Sequence, residues 1–368
     1  MARKLQSDKW MFLATLALVC VSVVMVYSAS AVMAEERFGN PYLFFTKQAL
    51  WATLGVALMS MVMRVDYRTW RNERLIWALL GVVVVLLVAV LFAARVNGTR
   101  RWFAVAGFGI QPSELAKLAA VLFTALILER RMHRINDVMF SVLPIAIIAG
   151  ALASLILVEP DFGTAVSLLA VIGVMVFAAG LSYRYVIGTG IVGLAGLALV
   201  AIQEPYRVRR IMTFLNPWAD PLGDGFQIIQ SLIAIGTGGL FGKGLMESKQ
   251  KLFFLPEPHT DFIYSVIAEE MGFIGAVVIL ACFGVLAWRG LRASLRAPDP
   301  FGSYLALGLT MMIVLQAFVN ISVVLGLAPT KGIPLPLVSS GGSSLLINLL
   351  AVGVLLNISQ HSTETGAA

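Results

Sequence analysis

The chain is laid out as long, nearly uninterrupted apolar runs joined by short polar links. Ten runs stand out, near 10–33, 44–63, 75–94, 114–130, 139–158, 162–181, 185–202, 266–288, 303–325 and 341–358. A helix needs ~20 apolar residues to cross the ~30 Å hydrocarbon core of a bilayer. Water is absent there, so every backbone polar group must be satisfied within the segment, which a helix does. The pattern therefore predicts an all-α integral membrane protein of about ten transmembrane helices, a single polytopic domain over residues 1–368. The sixth and seventh runs are the least sharply separated.

One link breaks the rhythm. Residues 203–261, between the seventh and eighth runs, form the long hydrophilic stretch of the chain. Within it, Ile211 to Leu215 and Phe226 to Ile235 are amphipathic, and Pro217, Pro221 and several glycines interrupt them. Such segments predict short helices lying at the membrane interface, and loops of this length in compact proteins usually carry function. The first run has features of a secretory signal: Arg3, Lys4 and Lys9 precede it, and Ala29-Ser30-Ala31 resembles a cleavage site. Its apolar stretch from Trp10 to Val26 is longer than a usual signal core, so a retained first span is expected.

Composition agrees. Apolar residues make up 59% and charged residues 13%, against roughly 45–50% and about 25% in soluble domains. A soluble catalytic domain, a disordered chain and a nucleic-acid binder all fit these numbers badly. The net charge of +7 comes from 27 Lys and Arg against 20 Asp and Glu, and most of the basic residues flank apolar runs. With the N-terminus in the cytoplasm, the short inner segments hold twice as many Lys and Arg as the short outer loops. The positive-inside rule then puts both termini in the cytoplasm and the 203–261 loop outside. Cys20 and Cys282 both sit inside apolar runs; they suggest no disulfide framework and are too few for a zinc site.

The middles of the first, third, seventh, ninth and tenth runs hold no ionisable side chain. Charges gather instead at outer helix ends and outer loops: Arg100, Arg101, Glu114, Lys117, Glu159, Asp161, Glu257, Asp261 and Lys331. Intramembrane charges mark ion paths and proton relays. A wet outer face carrying both carboxylates and cations points instead to a reaction at the membrane surface. No internal repeat of the transporter kind is visible.

Four segments carry candidate chemistry. Gly236-Thr-Gly-Gly-Leu-Phe-Gly-Lys-Gly244 imitates a nucleotide phosphate loop, but Thr237 and Gly244 occupy the positions that need Gly and Ser or Thr. A flexible turn between short helices explains it better, just as Gly188, Gly193 and Gly196 are better explained by close helix packing. Gln111-Pro-Ser-Glu-Leu-Ala-Lys117 opens the fourth run. Capping accounts for Ser113, and the positive helix end for Glu114. Lys117, one turn into an apolar helix, needs a partner, and Glu114 three residues earlier shares its face. In Glu159-Pro-Asp-Phe-Gly-Thr164, Asp161 is either a helix cap or a functional acid. Leu255-Pro-Glu-Pro-His-Thr-Asp-Phe-Ile-Tyr-Ser-Val-Ile-Ala-Glu-Glu270 is the richest segment, because His259, Asp261 and an acidic pair follow a cationic loop.

Together these segments resemble the shape, elongation, division and sporulation family, the FtsW/RodA/SpoVE group, over essentially the whole chain. The resemblance rests on Arg101-Trp102 with 111–117, on 159–164, on 255–262 with Glu269-Glu270, and on Pro329-Thr-Lys-Gly-Ile-Pro-Leu-Pro-Leu-Val-Ser339 with Gly341-Gly-Ser343. Pro329-Thr-Lys-Gly332 and 249–256 look like the division-type members. Ser340 departs from the tyrosine usual in the family. The resemblance implies ten transmembrane helices, a large outer loop between the seventh and eighth, and polymerisation of lipid II into glycan strands outside the cytoplasmic (inner) membrane. It also implies a class B penicillin-binding protein as transpeptidase partner, alongside other division or elongation proteins.

On that footing Asp261, which matches the family's essential aspartate, is the expected general base. Arg101, Lys117 and Lys331 are the expected cations for the lipid pyrophosphate, with Arg207, Arg209 or Arg210 as helpers. Glu114 is expected to orient Lys117, and Asp161 to act as a second acid or orienter. His259 and Ser339 complete the expected substrate-contacting set, and His259 is the alternative base. A divalent cation (Mg²⁺ or Mn²⁺) bridging Asp261 and the pyrophosphate is compatible with hard oxygen ligands but not demanded. The rival readings are a lipid II flippase, which needs a hydrated path between helices, and a non-catalytic division scaffold, which leaves the outer charges unexplained.

Overall fold

The computed structural model describes residues 7–94, 100–105, 108–202, 205–252, 254–330 and 332–362. The helices among them are α1 (Lys9–Phe38), α2 (Leu43–Val62), α3 (Glu73–Val90), α4 (Pro112–Arg131), α5 (Val138–Val158), α6 (Phe162–Ala178), α7 (Tyr183–Ile202), α8 (Pro205–Leu215), α9 (Phe226–Gly238), α10 (Ile263–Leu295), α11 (Pro300–Val324) and α12 (Gly342–Ser362). Each of the ten apolar runs is helical, and the two amphipathic patterns in the long link become α8 and α9. Among the described residues, six helices, α1, α3, α5, α10, α11 and α12, are long and apolar enough to cross a membrane. Of the others, α2 carries Thr46-Lys47-Gln48 near its start, α4 holds Glu114, Lys117, Glu129, Arg130 and Arg131, and α6 has 17 residues.

Polar links set where helices begin. Asp8, Asn72, Asp137, Asp161 and Asp299 each accept a hydrogen bond from a backbone N–H in the first turn of the helix they precede. Such caps are worth ~1 kcal/mol each and satisfy donors that lipid could not. The core is built around α4, which is buried almost continuously from Pro112 to Leu128. It packs on α3, α5, α6 and α11. On the other flank α12 packs on α2, and α10 packs on α1, α9 and α11.

Two features depart from a bundle of uninterrupted helices. A small antiparallel hairpin, β1 (Phe103–Val105) paired with β2 (Phe108–Ile110), precedes α4. The first part of α10 is also offset from the rest at Gly272, which has φ 68° and ψ −167°. The glycine-rich segment 239–244 lies across that break. Lys243 N and Gly244 N donate to the carbonyls of Glu269 and Glu270 at 2.9 and 3.0 Å, and Phe273 N donates to Gly239 O at 2.9 Å. Those bonds satisfy the groups the break exposes. A Cβ at Gly242 would stand 2.1 Å from Glu270 O, and one at Gly272 would stand 2.3 Å from Gly242 N, so this backbone approach admits glycine alone. The run that imitates a phosphate loop is thus accounted for by close packing against α10.

Two buried carboxylates complete this anchorage. Glu269 accepts from Lys243 Nζ and Ser248 Oγ, both at 2.6 Å, and from the N–H groups of Lys249 and Gln250 at 3.2 and 3.3 Å. Glu270 accepts from Lys251 Nζ at 2.7 Å and from Ser28 Oγ of α1 at 2.6 Å. The acidic pair therefore fastens the 243–251 loop to α10 and α1.

Candidate active site

Three connections meet at one end of the bundle: the α5–α6 turn, the residues leading into α10, and the segment between α11 and α12. The α5–α6 turn presents Asp161 as the N-cap of α6. Its Oδ1 accepts from Thr164 N at 3.1 Å, and its Oδ2 accepts from Thr164 Oγ1 at 2.8 Å and from Gln111 Nε2 at 3.1 Å. The cap is thus realised, and it holds a buried carboxylate at this end of the bundle. Arg101 fastens itself to the same turn, Nε donating to Glu159 O at 3.0 Å and Nη2 to Pro160 O.

Asp261 precedes α10. Asn320 of α11 holds its backbone, Nδ2 donating to Asp261 O at 2.8 Å and to Ile333 O at 2.7 Å. One side-chain amide thereby joins the connection before α10 to the connection after α11. Gly332 lies directly against the carboxylate, since a Cβ there would stand 2.9 Å from Asp261 Oδ2. Asp261 is half-buried, and its side chain accepts no hydrogen bond from the described residues. Burial pushes its carboxyl up to about 7, with the negative charges of Glu257 and Asp161 adding and the guanidiniums of Arg210 and Arg101 opposing. Arg210, on α8, also donates to Thr330 O at 2.8 Å. Asp261, Asp161 and Arg101 are therefore brought together, with Arg210 as a second cation.

Glu159 lies beneath the turn, fully buried, and neither of its carboxylate oxygens has a partner among the described residues. Burial first, then the charge of Asp161, push its carboxyl up to about 8 against the pull of Arg101. It is protonated at neutral pH.

The other expected residues take supporting positions. His259 is buried, with its ring 4.7 Å from that of Phe44 on α2 and its Nδ1 unpartnered among the described residues. Burial and the charge of Arg37 lower it to about 4, so it is neutral. Its carbonyl accepts from Ser340 N at 2.9 Å. That contact uses the backbone, so it is independent of the side chain at position 340. Ser339 Oγ donates to Thr260 O at 2.5 Å and accepts from Leu335 N at 2.7 Å. Ser339 thus ties the α11–α12 connection to the residue before Asp261. Lys331 lies outside the described residues, between Thr330 and Gly332.

Lys117 and Glu114 form the expected pair, at 2.9 Å, but both side chains are only 3% exposed. The ammonium also donates to Gln316 Oε1 at 2.6 Å, Gln316 Nε2 donates to Pro334 O at 2.9 Å, and Ser344 Oγ donates to Glu114 Oε2 at 3.2 Å. A cation this deep must be fully paired, and this one is. Direct contact between Lys117 and a pyrophosphate, as expected from sequence, is therefore replaced by a chain that reaches the site through Gln316 and Pro334. Gln316 and Asn320 were not singled out in the sequence, although two amides four residues apart on one face of an apolar run are the available signal. Among the described residues no group of three or more His, Cys, Asp or Glu is placed to hold a metal ion.

The family model described as cell cycle protein, FtsW/RodA/SpoVE, matches residues 9–364. A relative from Geobacter sp. strain M18, named "Probable peptidoglycan glycosyltransferase FtsW", is 48% identical over 93% of this chain and 94% of its own. Among solved structures, a chain of a peptidoglycan synthase complex that coordinates polymerization and crosslinking superposes with a TM-score of 0.80 at 33% identity, covering 97% of this chain and 99% of that one. The rod shape determining protein RodA of Thermus thermophilus superposes with a TM-score of 0.71 at 30% identity, covering 97% of each chain. With its apolar helices, its site and these likenesses in agreement, the chain is a multi-pass membrane protein that belongs to the FtsW/RodA/SpoVE family of cell cycle proteins.

Proposed function

We propose that this chain is a peptidoglycan glycosyltransferase that polymerises lipid II at the outer face of the cytoplasmic membrane. The observation that carries the reading is the Asp261 carboxylate. It stands near neutrality, unbonded by the described residues, beside Gly332 and within electrostatic reach of Arg101 and Arg210. A base is most effective when its pKa lies near the working pH. In the reaction, a hydroxyl of the acceptor sugar attacks the anomeric carbon of the donor. Its proton passes to Asp261, and the bond to the lipid pyrophosphate breaks with inversion, turning an α-linked pyrophosphate into a β-linked glycan. Arg101, Arg210 and Lys331 supply positive field for the leaving group, and preorganised charge of this kind is usually the largest catalytic contribution. Asp161 sets the local field, Lys117, Glu114 and Ser339 hold the framework, and His259 stays neutral. A divalent ion, where used, would be held by Asp261 together with pyrophosphate oxygens.

The ten helical runs are proposed as ten spans, with both termini cytoplasmic and the 203–261 loop, α8 and α9 included, outside. The partner is a class B penicillin-binding protein, and the similarity to the Geobacter relative favours a role in division. A flippase would need a hydrated path, whereas Glu114 and Lys117 of α4, Gln316 of α11 and Ser344 of α12 are bonded to one another. The test is glycan polymerisation from purified lipid II by the chain together with a partner whose transpeptidase site is blocked. Polymer is expected from wild type and not from Asp261→Ala. Absence of polymer from both, with the partner bound, overturns the proposal.

A further inference from the structure

We propose that the groove between α3, α4 and α5, at the end of α4 opposite the candidate active site, binds an anionic glycerophospholipid. The groove has a volume of about 300 Å³ and an apolar lining that includes Trp77, Phe123, Ile127, Pro144 and Ile147. Trp77 and Ile147 are about half exposed, so the groove opens sideways, where a membrane-spanning bundle meets acyl chains. Its mouth is charged. Arg130 and Arg131 border it together with Glu73.

The cations are held there for a local reason. Pro144 has no N–H, so the carbonyl four residues earlier, Phe140 O, loses its helical donor. Arg131 Nη1 donates to that carbonyl instead. The guanidiniums of Arg131 and Arg134 then stand over the Phe140 ring at 4.6 and 5.8 Å. Two like charges are thereby fixed at one corner, and Arg130 adds a third. Arg130 pairs with Glu73 at 2.6 Å, with both side chains about half exposed. A pair so exposed contributes little and exchanges partners readily.

The mouth therefore has surplus positive charge above an apolar slot. A phosphodiester carrying a net negative charge matches it, since arginine forks fit phosphate oxygens. A zwitterionic headgroup would bring an ammonium into the same cationic corner. Basic pockets between transmembrane helices on the cytoplasmic side bind anionic headgroups in this manner.

Trp77 is a reporter inside the groove. The full chain would be reconstituted with brominated phosphatidylglycerol or brominated phosphatidylcholine, and the quenching of wild type compared with that of Trp77→Phe. The difference isolates Trp77 from the other tryptophans. Half-maximal quenching of Trp77 is expected at an about fivefold lower mole fraction of the anionic lipid. The double variant Arg130→Gln/Arg134→Gln, which leaves Arg131 on Phe140, should bring the two lipids within about twofold. Equal quenching of wild type by both lipids, no Trp77 quenching by either, or an unchanged preference in the double variant would each overturn the proposal. The wild-type comparison stands by itself should the variant fold poorly.

Discussion

Replacing Asp261 by Asn should remove activity and, above neutral pH, raise stability. The carboxyl is pushed from its ordinary 3.8 up to about 7, chiefly by burial. Folding therefore favours the protonated form. The associated stabilisation is fully present below the unfolded value near 4 and is lost as pH rises through about 7. At ~1.4 kcal/mol per pH unit the displacement has a ceiling of ~4 kcal/mol. The carboxylate keeps a solvent-accessible face, which brings the expected loss to ~1–3 kcal/mol. Asn has nearly the same shape and never ionises, so it escapes the loss. Thermal unfolding of the detergent-purified protein should show wild type and Asp261→Asn close together at pH 4 and the variant several degrees higher at pH 8. Polymerisation by wild type should rise with pH through about 7, and the variant should lose ~10²–10⁴-fold, the usual contribution of a general base. An offset in Tm that is the same at both pH values would refute the raised pKa. Near-normal polymerisation by the variant at equal protein level would refute the assignment of the base.

Four further outcomes follow from particular contacts. Gly332→Ala puts a methyl 2.9 Å from Asp261 Oδ2; turnover should fall about ten- to a hundredfold with little change in Tm, which steady-state kinetics and thermal unfolding would separate. Asn320→Leu strips the donor from Asp261 O and Ile333 O, costing ~1–3 kcal/mol and lowering kcat more than it raises KM. Lys251→Met leaves Glu270 buried without its cation and should cost ~3–5 kcal/mol, while Lys251→Met/Glu270→Gln should recover most of it in the same unfolding assay. Glu159 is raised from 4.5 to about 8, so wild type should lose stability as pH climbs from about 5 to 8, and Glu159→Gln should hold its Tm across that range.

The bilayer makes much of this fold legible in sequence. A helix that meets lipid must be apolar over a fixed length, so ten runs announce ten helices, and the Asp and Asn residues in the links announce several of their starts. Short-range pairing is legible too: Glu114 and Lys117 are neighbours because three residues bring them to one helix face. Elements that depend on distant partners leave no such trace. The β1–β2 hairpin has three-residue strands, too short to show an alternating pattern. The glycines of 239–244 read as a turn because their reason, the backbone of α10 around Gly272, is some thirty residues away in sequence. Asn320 and Gln316 are uncharged, so nothing in the run that holds them flags them as the links between α11 and the two loops.

The same distinction separates a framework charge from a chemical one. Every ionisable residue at this end of the bundle looks equivalent in sequence, and only the partners supplied by folding tell them apart. Lys117 finds Glu114 and Gln316, and Glu270 finds Lys251 and Ser28. Their charges are consumed inside the protein, which is why they can be buried at all. Asp161 is likewise satisfied by Thr164 and Gln111. Asp261 has the opposite arrangement: its backbone is fixed by Asn320, while its carboxylate is left without a donor among the described residues and is raised toward neutrality by its surroundings. A rigid backbone beneath an uncommitted carboxylate is what the proposed proton transfer from a substrate hydroxyl requires; Glu159 also lacks a donor among the described residues but is fully buried, whereas Asp261 is half-buried and open to a substrate.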